Sequence, residues 1–365
     1  LMLATAFLSA WVSNTATAAM MVPIAVAVMG VVRSTQESEV IGKDEHNFGV
    51  CILLAIAYGA SIGGMATLIG SPPNGIFARF VEQTYHTPVT FLAWMKVALP
   101  VVVIMLPVTY LLLTKVLFRT NLSGIPGGRE WVKRELAKLG PMSKGEKVVL
   151  AVFLLAACLW IFGPVLRGLE IDGAKPLKFL SDEAIAMGAG LLLFMIPIDV
   201  RRGVHALDWS SAKDVVAWDV LLLFGGGLTM AAVIQSTGAA ALVGAQAQLL
   251  AGTSEVVMMS GVAALVTFAT EVTSNTALAA TMMPLIAAAA ESLKIHPEGL
   301  LFATAIAASC AFMMPVATPP NAIVFGTGRL KIGEMVRAGF FLNVIGVVIV
   351  VICSMLFGGG LIPQT

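Results

Sequence analysis

Apolar residues run along this chain in long blocks, near 1–32, 49–83, 91–118, 147–166, 182–198, 217–237, 254–290, 299–328 and 338–360. A membrane-crossing helix needs about 20 mainly apolar residues, so blocks of this length predict helices that cross or enter a bilayer. Several blocks are interrupted. Those at 1–32 and 254–290 carry Ser13-Asn14-Thr15 and Ser274-Asn275-Thr276 near their middles. Those at 49–83 and 299–328 carry Pro72-Pro73 and Pro319-Pro320. Each interruption predicts a helix split into two halves.

The interruptions are copies of one another. SNTATAAMMVP (Ser13 to Pro23) matches SNTALAATMMP (Ser274 to Pro284) at eight of eleven positions. GSPPNGI (Gly70 to Ile76) matches ATPPNAI (Ala317 to Ile323). One polar cluster duplicated in two hydrophobic halves is how many membrane carriers build a single binding site at mid-membrane.

Composition narrows the class. The chain is 58% hydrophobic and 12% charged, against about 25% charged residues in soluble domains. A net charge of +1 leaves no basic face for a nucleic acid. Cys51, Cys158, Cys310 and Cys353 are far apart and read as small apolar fillers. No Ser-His-Asp set, Cys-His pair or metal motif appears. His46, His86, His205 and His296 fall in predicted loops without ligand spacing, so an enzyme has little support. Gly225-Gly226-Gly227 reads as close helix packing, since no Lys-Ser/Thr follows it.

Ser, Asn and Thr are good helix N-caps, because their side-chain oxygens accept from the free N–H groups of the first turn. The runs after the triplets, Ala16 to Val32 and Ala277 to Ala290, fit re-entrant hairpins that turn at mid-membrane and leave on the side they entered. The prolines lack N–H groups, so carbonyls four residues earlier lose their helical partners and become oxygen ligands for a cation. If the first hairpin enters from the cytoplasm and the second from outside, segments 33–48, 119–147, 199–214 and 329–337 are cytoplasmic and hold 15 Lys/Arg. The outer segments 84–90, 167–180, 238–252 and 292–298 then hold 4. This bias obeys the positive-inside rule and makes the two repeats inverted. Gly127 to Lys147 reads as a basic amphipathic surface helix with Trp131, Leu136 and Leu139 toward lipid, or as a solvated loop. Ala239 to Ala251 reads as a similar connecting helix on the outer side. The opening LMLATAFLSAW is apolar without a charged leader, and twelve residues before the first triplet are too few to span. The expectation is that further helices precede Leu1.

A charged anion in a membrane needs donors and positive dipole ends. Ser13, Asn14, Thr15, Ser274, Asn275 and Thr276, with the N-termini of two half-helices, offer both without a buried Lys or Arg. Two facing clusters suit an anion charged at both ends. Two small-cation sites follow from the same repeat: Ser9, Ser13, Asn14 and a carbonyl near Gly70, then Thr270, the Thr273 carbonyl, Asn275 and a carbonyl near Ala317. Neutral oxygens suit Na⁺ better than Ca²⁺ or Mg²⁺. Glu271 is an intramembrane carboxylate where the first repeat has Ala10. It could couple protons, attract a cation or make a structural hydrogen bond.

At these residues the chain resembles the divalent anion/sodium symporter family, which includes sodium-coupled dicarboxylate, citrate and sulfate carriers. The likeness rests on both Ser-Asn-Thr motifs, both Pro-Pro-Asn motifs and Ala308 to Val324, with Ser309, Phe312, Pro315, Asn321 and Val324 at the family's fixed positions. The resemblance implies an all-α polytopic membrane protein, an elevator-type homodimer with inverted repeats. It divides the chain into a first-repeat transport part (1–118), a basic connector (119–146), scaffold helices with a connector (147–252) and a second-repeat transport part (253–365). It places Asn14, Thr15, Asn275, Thr276 and Pro319, with Thr318 beside them, at the substrate. One sodium goes to Ser9, Ser13, Asn14 and Gly70, the other to Thr270, Thr273, Asn275 and Ala317. The expected activity is Na⁺-coupled symport of a C4-dicarboxylate, with two or more Na⁺, across a bacterial inner membrane. A sulfate or citrate symporter, a sodium-independent dicarboxylate exchanger and a channel-like anion conduit remain alternatives.

Overall fold

The computed structural model describes residues 1–34, 42–119, 133, 137, 140–170, 174–216 and 218–362. Helices α1 (Met2–Ser9) and α2 (Asn14–Ser34) flank the first triplet. Helices α3 (Gly42–Gly64) and α4 (Pro72–Tyr85) flank the first Pro-Pro, and α5 (Phe91–Leu111) runs on into a π-helical turn, Leu112–Leu117. Then come α6 (Lys144–Gly168), α7 (Asp182–Met195), strands β1 (Pro197–Asp199) and β2 (Val204–His205), and α8 (Trp209–Val215). Helices α9 (Trp218–Ser236) and α10 (Ala239–Ala247) lead into the second copy. This comprises α11 (Glu255–Ala269), α12 (Asn275–Leu293), α13 (Glu298–Ala307), α14 (Pro319–Phe325) and α15 (Ile332–Phe357).

Among the described residues, Asp44–Gly64, Phe91–Leu117, Lys144–Gly168, Asn275–Leu293 and Ile332–Phe357 are long and apolar enough to cross a membrane. The second hairpin's return helix is longer than the sequence suggests. It continues through Leu293 and stops where Lys294 turns left-handed, with φ 55°. At 19 residues α12 is long enough to span, so length alone does not make it turn back.

Three further expectations change. The chain is mostly rather than wholly helical, since β1 and β2 pair antiparallel beyond α7. Asp199 Oδ1 accepts from Arg201 N and Arg202 N at 3.0 and 3.3 Å, and Gly203 takes φ 65° to close that turn. His46 lies in the first turns of α3 rather than in a loop, and His205 lies in β2. Acidic Asp44 and Glu45 in that first turn suit the positive end of the helix dipole. Cys51 does more than fill space: its thiol donates to the Leu113 carbonyl at 3.3 Å, across the π-helical turn. Trp131, Leu136 and Leu139 of the expected amphipathic helix lie outside the described residues. Its last residues, from Lys144, form the start of α6, where Ser143 and Glu146 cap each other reciprocally.

Packing divides the described residues into two units. One gathers α1–α4, most of α5 and α9–α15. The other gathers residues 90–92, α6–α8 and the β-hairpin. In the second unit Asp182 is the node. Its Oδ2 accepts from Phe91 N at 2.6 Å, its Oδ1 from Arg167 Nη1 at 3.2 Å, and its carbonyl from Trp160 Nε1 at 3.0 Å. Phe91 and Trp160 stack at 5.1 Å. At the exposed start of α8, the Ser210 hydroxyl and Ser211 N–H bond Asp208 and hold its carboxyl below the usual range.

In the first unit the two copies exchange partners. Helix α4 of the first copy packs on α12 and α13 of the second, and α14 of the second packs on α2 and α3 of the first. Aromatic side chains fill the seam. Phe77 on α4, Trp94 on α5 and Phe302 on α13 are fully buried, with ring centroids 5.3 to 6.4 Å apart. Glycines let backbones touch at two places. A Cβ on Gly63 of α3 would collide with the Ala6 carbonyl of α1, and one on Gly339 of α15 with the Phe312 carbonyl. Gly227 of α9 likewise faces Ala280 of α12, so one glycine of the expected triplet serves close packing.

Gly63→Ala and Gly339→Ala should each cost about 1–3 kcal/mol through overpacking. Gly261→Ala, on an open face of α11, should leave stability unchanged or slightly raised. Thermal unfolding in detergent checks all three; equal midpoints for Gly63→Ala and the unaltered protein would contradict the packing account.

Candidate functional site

Each triplet does what its residue types allow. Ser13 Oγ accepts from Ala16 N at 3.3 Å and Ser274 Oγ from Ala277 N at 3.4 Å, so both serines cap the helix that follows. Ser13, Thr15 and Ser274 are exposed, Asn14 and Asn275 are half-buried, and Thr276 is buried. Polar groups left open within an apolar stretch require a wet cavity if they lie at membrane depth.

The Pro-Pro motifs do not kink a continuous helix. Pro72 and Pro319 open α4 and α14, at helix positions whose N–H has no intrahelical partner in any case. The unwound segments before them are held by the asparagine that follows. Asn74 Nδ2 donates to the Gly64 and Thr67 carbonyls at 2.9 and 2.7 Å. Asn321 Nδ2 donates to the Ala311 and Met314 carbonyls at 3.1 and 3.0 Å. Trp94 Nε1 takes the Met65 carbonyl at 3.0 Å. The carbonyls held in this way are not those four residues before the prolines. The two unwound segments also meet: Ser71 Oγ and Ser309 Oγ lie 3.1 Å apart, and the Tyr58 ring stands edge-on to Phe312 at 5.2 Å.

The first expected cation site is a cluster of oxygens. Ser9 Oγ donates to Asn14 Oδ1 at 2.6 Å. That amide end also lies 3.1 Å from the Ala60 carbonyl and 3.2 Å from the Gly70 carbonyl. An amide oxygen among carbonyls needs a positive charge between them; the amide nitrogen turned inward donates to the same atoms. With the nitrogen inward the corner is satisfied by the protein alone; with the oxygen inward it would take a positive charge, for which neutral oxygens suit a monovalent cation. Ala60 was not foreseen; it lies inside an unbroken apolar run that marks no ligand. In the second copy Thr270 Oγ1 lies within hydrogen-bond distance of both Asn275 Oδ1, at 2.6 Å, and the Ala308 carbonyl, at 3.0 Å. Thr273 Oγ1 turns back to the Ala269 carbonyl at 2.8 Å, which leaves its own carbonyl as its possible ligand. Ala317 and Thr318 are buried beside α14, while Pro319 is exposed; Thr318 Oγ1 accepts from Asn321 N at 3.3 Å.

Glu271 is 4% exposed and accepts four hydrogen bonds. Oε1 takes Phe312 N, Met313 N and Asn343 Nδ2 at 2.7, 2.9 and 2.7 Å, and Oε2 takes Met314 N at 2.9 Å. Of the three roles open to it, the structural hydrogen bond is the one its contacts describe. A second charged cluster, around a cleft of about 450 Å³ lined by Glu45, His46, Arg329 and Lys331, lies at the start of α3. There His46 Nε2 pairs with Glu334 Oε1 at 2.6 Å, so its charges already serve one another.

Replacing Asn74 by Asp would set a carboxylate against the Gly64 and Thr67 carbonyls, acceptor against acceptor. Asn74→Asp should therefore destabilise more than Asn74→Ala, which should itself cost about 1–3 kcal/mol. Melting temperatures of the purified variants decide it, and the reverse order would rule out the clamp.

Comparison with known proteins places the chain in a family. The sodium:sulfate symporter transmembrane region matches residues 1–363. The sodium-dependent dicarboxylate transporter SdcS of Staphylococcus saprophyticus is 38% identical over 352 residues, which cover 96% of this chain and 67% of that protein. SdcS of Staphylococcus aureus strain USA300 is 39% identical over 353 residues, with the same coverage. With its duplicated tips, its broken helices and this match along nearly its whole length, the chain belongs to the sodium:sulfate symporter family of integral membrane transporters.

Proposed function

We propose that this protein couples inward movement of Na⁺ to uptake of a C4-dicarboxylate such as succinate, malate or fumarate, across a bacterial cytoplasmic membrane. The observation that carries the reading is the chain of contacts joining two equivalent polar tips. Asn14 leans on the first unwound segment, Thr270 and Glu271 lean on the second, and the two segments meet at Ser71 and Ser309. The relatives' names, sodium-dependent dicarboxylate transporters, supply the substrate class.

On this reading each tip presents the start of a helix, α2 or α12, to one carboxylate of the substrate. The exposed Ser13, Thr15 and Ser274, with Asn14, Asn275, Thr276, Thr318 and Pro319, complete the anion site. Helix N-termini attract negative charge, and hydroxyl and amide donors replace the water a carboxylate loses. Asn14 and Asn275 belong to both sites. An amide whose oxygen faces Na⁺ turns its N–H₂ group the other way, toward the anion. One Na⁺ then sits with Ser9, Ser13, Asn14 and Gly70, and the other with Thr270, Thr273, Asn275 and Ala317. Cations beside the dianion lower the charge of the unit that crosses the membrane. The hairpins are re-entrant, the repeats inverted, and the protein works as a homodimer in which the tips travel as an elevator. The lysine and arginine bias of the loops supports that orientation.

Labelled succinate uptake into proteoliposomes, with an inward Na⁺ gradient against K⁺, tests the reading. The expectation is uptake only with Na⁺, competed by malate and not by sulfate. Asn14→Ala and Asn275→Ala should each raise half-saturating succinate about 10- to 100-fold, the worth of one hydrogen bond to a charged group. Uptake that needs internal dicarboxylate but no Na⁺ would make the protein an exchanger. Competition by sulfate or citrate alone would change the substrate class.

A further inference from the structure

Two positions in the repeats have changed in concert. In the first copy the hairpin residue is Ala10 and the unwound segment carries Thr67; in the second copy the same places hold Glu271 and Met314. The contact between hairpin and unwound segment survives with the segment as donor in both copies, and what changes is which side supplies the side chain. In the first copy the segment donates: Thr67 Oγ1 bonds the Ala10 carbonyl at 2.5 Å and accepts from Gly70 N at 3.2 Å. In the second copy Met314 has no hydroxyl, and the hairpin supplies the side chain instead. Glu271 accepts the backbone N–H groups of Phe312, Met313 and Met314.

The tie reaches the residues that the functional reading gives to the second cation. The Met314 peptide is pinned on both faces. Its N–H goes to Glu271, and its carbonyl accepts from Asn321 Nδ2 at 3.0 Å and from Ala317 N at 3.2 Å. Ala317 is therefore placed relative to Glu271 through one fixed peptide, and Glu271 follows Thr270 directly. Asn343 on α15 holds the carboxylate from behind at 2.7 Å, and Gly339, one turn earlier on α15, admits the Phe312 backbone. Four donors occupy the carboxylate, about the number a carboxylate can accept. Its contacts leave it organising backbone rather than ligating an ion or carrying a proton.

We infer that Glu271 is a positioning residue for the second cation site. It sets the distance between the hairpin ligands, Thr270 and Asn275, and the unwound-segment ligand, Ala317, before a cation arrives. Thr67 performs the same task for the first site. The inference rests on the proposed sodium coupling. Outer partners that orient ligands typically contribute 10- to 100-fold in metal affinity.

The test is Na⁺ activation of succinate uptake in proteoliposomes, with Na⁺-dependent thermal stabilisation in detergent as a second readout. Glu271→Ala should raise half-saturating Na⁺ about tenfold. Half-saturating succinate at saturating Na⁺ should stay within about twofold, because the anion ligands are untouched. Adding Met314→Thr to Glu271→Ala copies the first repeat's tie into the second and should recover part of the Na⁺ affinity. Asn343→Ala, a milder change should Glu271→Ala fail to fold, should shift the Na⁺ midpoint the same way by less. An unchanged Na⁺ midpoint in Glu271→Ala or Asn343→Ala would overturn the assignment. So would loss of a pH dependence of uptake at saturating Na⁺, which would make Glu271 a proton carrier. Unaltered protein whose uptake ignores Na⁺ would overturn the functional reading itself, and this inference with it.

Discussion

A peptide group that leaves a helix inside an apolar protein must find a new partner, or its burial costs several kcal/mol. This chain interrupts its helices at two triplets and two Pro-Pro motifs, and the rest of the structure follows from how those interruptions are satisfied. Serine caps close the starts of α2 and α12. Asn74 and Asn321 gather the loose carbonyls. Glu271 gathers loose N–H groups, and Thr67 reaches for a loose carbonyl. Where the partners are all protein, the backbone is locked. Around Asn14 the amide nitrogen, turned inward, supplies the donor that the Ala60 and Gly70 carbonyls lack.

The exchange of α4 and α14 between copies makes these local solutions depend on each other. Neither Pro-Pro helix is seated by its own copy alone. Each lies on the return helix and the split helix of the other copy, sealed in one case by Phe77, Trp94 and Phe302. A tip that moved on its own would expose that seam. The tips, the unwound segments and the seam are therefore packed against one another.

The two copies are alike in plan and unequal in charge. One ties hairpin to unwound segment with a hydroxyl, the other with a carboxylate, and the difference falls beside one of two otherwise matching triplets. Buried polar networks are specific when every member is satisfied. The Glu271 carboxylate is filled by backbone donors and Asn343, whose own amide oxygen is left buried without a partner, while the Asn14 corner is satisfied once its amide nitrogen turns inward.

The membrane class, the places where helices break and the serine caps were all legible in the sequence. They rest on local features: runs of apolar residues, proline's missing N–H, and a motif written twice. The length of α12, the β-hairpin and the helical setting of His46 were not legible, because a helix end depends on capping geometry that hydropathy does not encode. Nor could the sequence say that Asn74 and Asn321 clamp the unwound segments, that Ser71 meets Ser309, or which of three roles Glu271 takes. Those facts join residues as far as 238 positions apart. Hydrophobic pattern decides that such groups are buried. Only tertiary packing decides which donor each buried acceptor meets, because hydrogen bonds are short and directional and the repeat's symmetry leaves more than one pairing open.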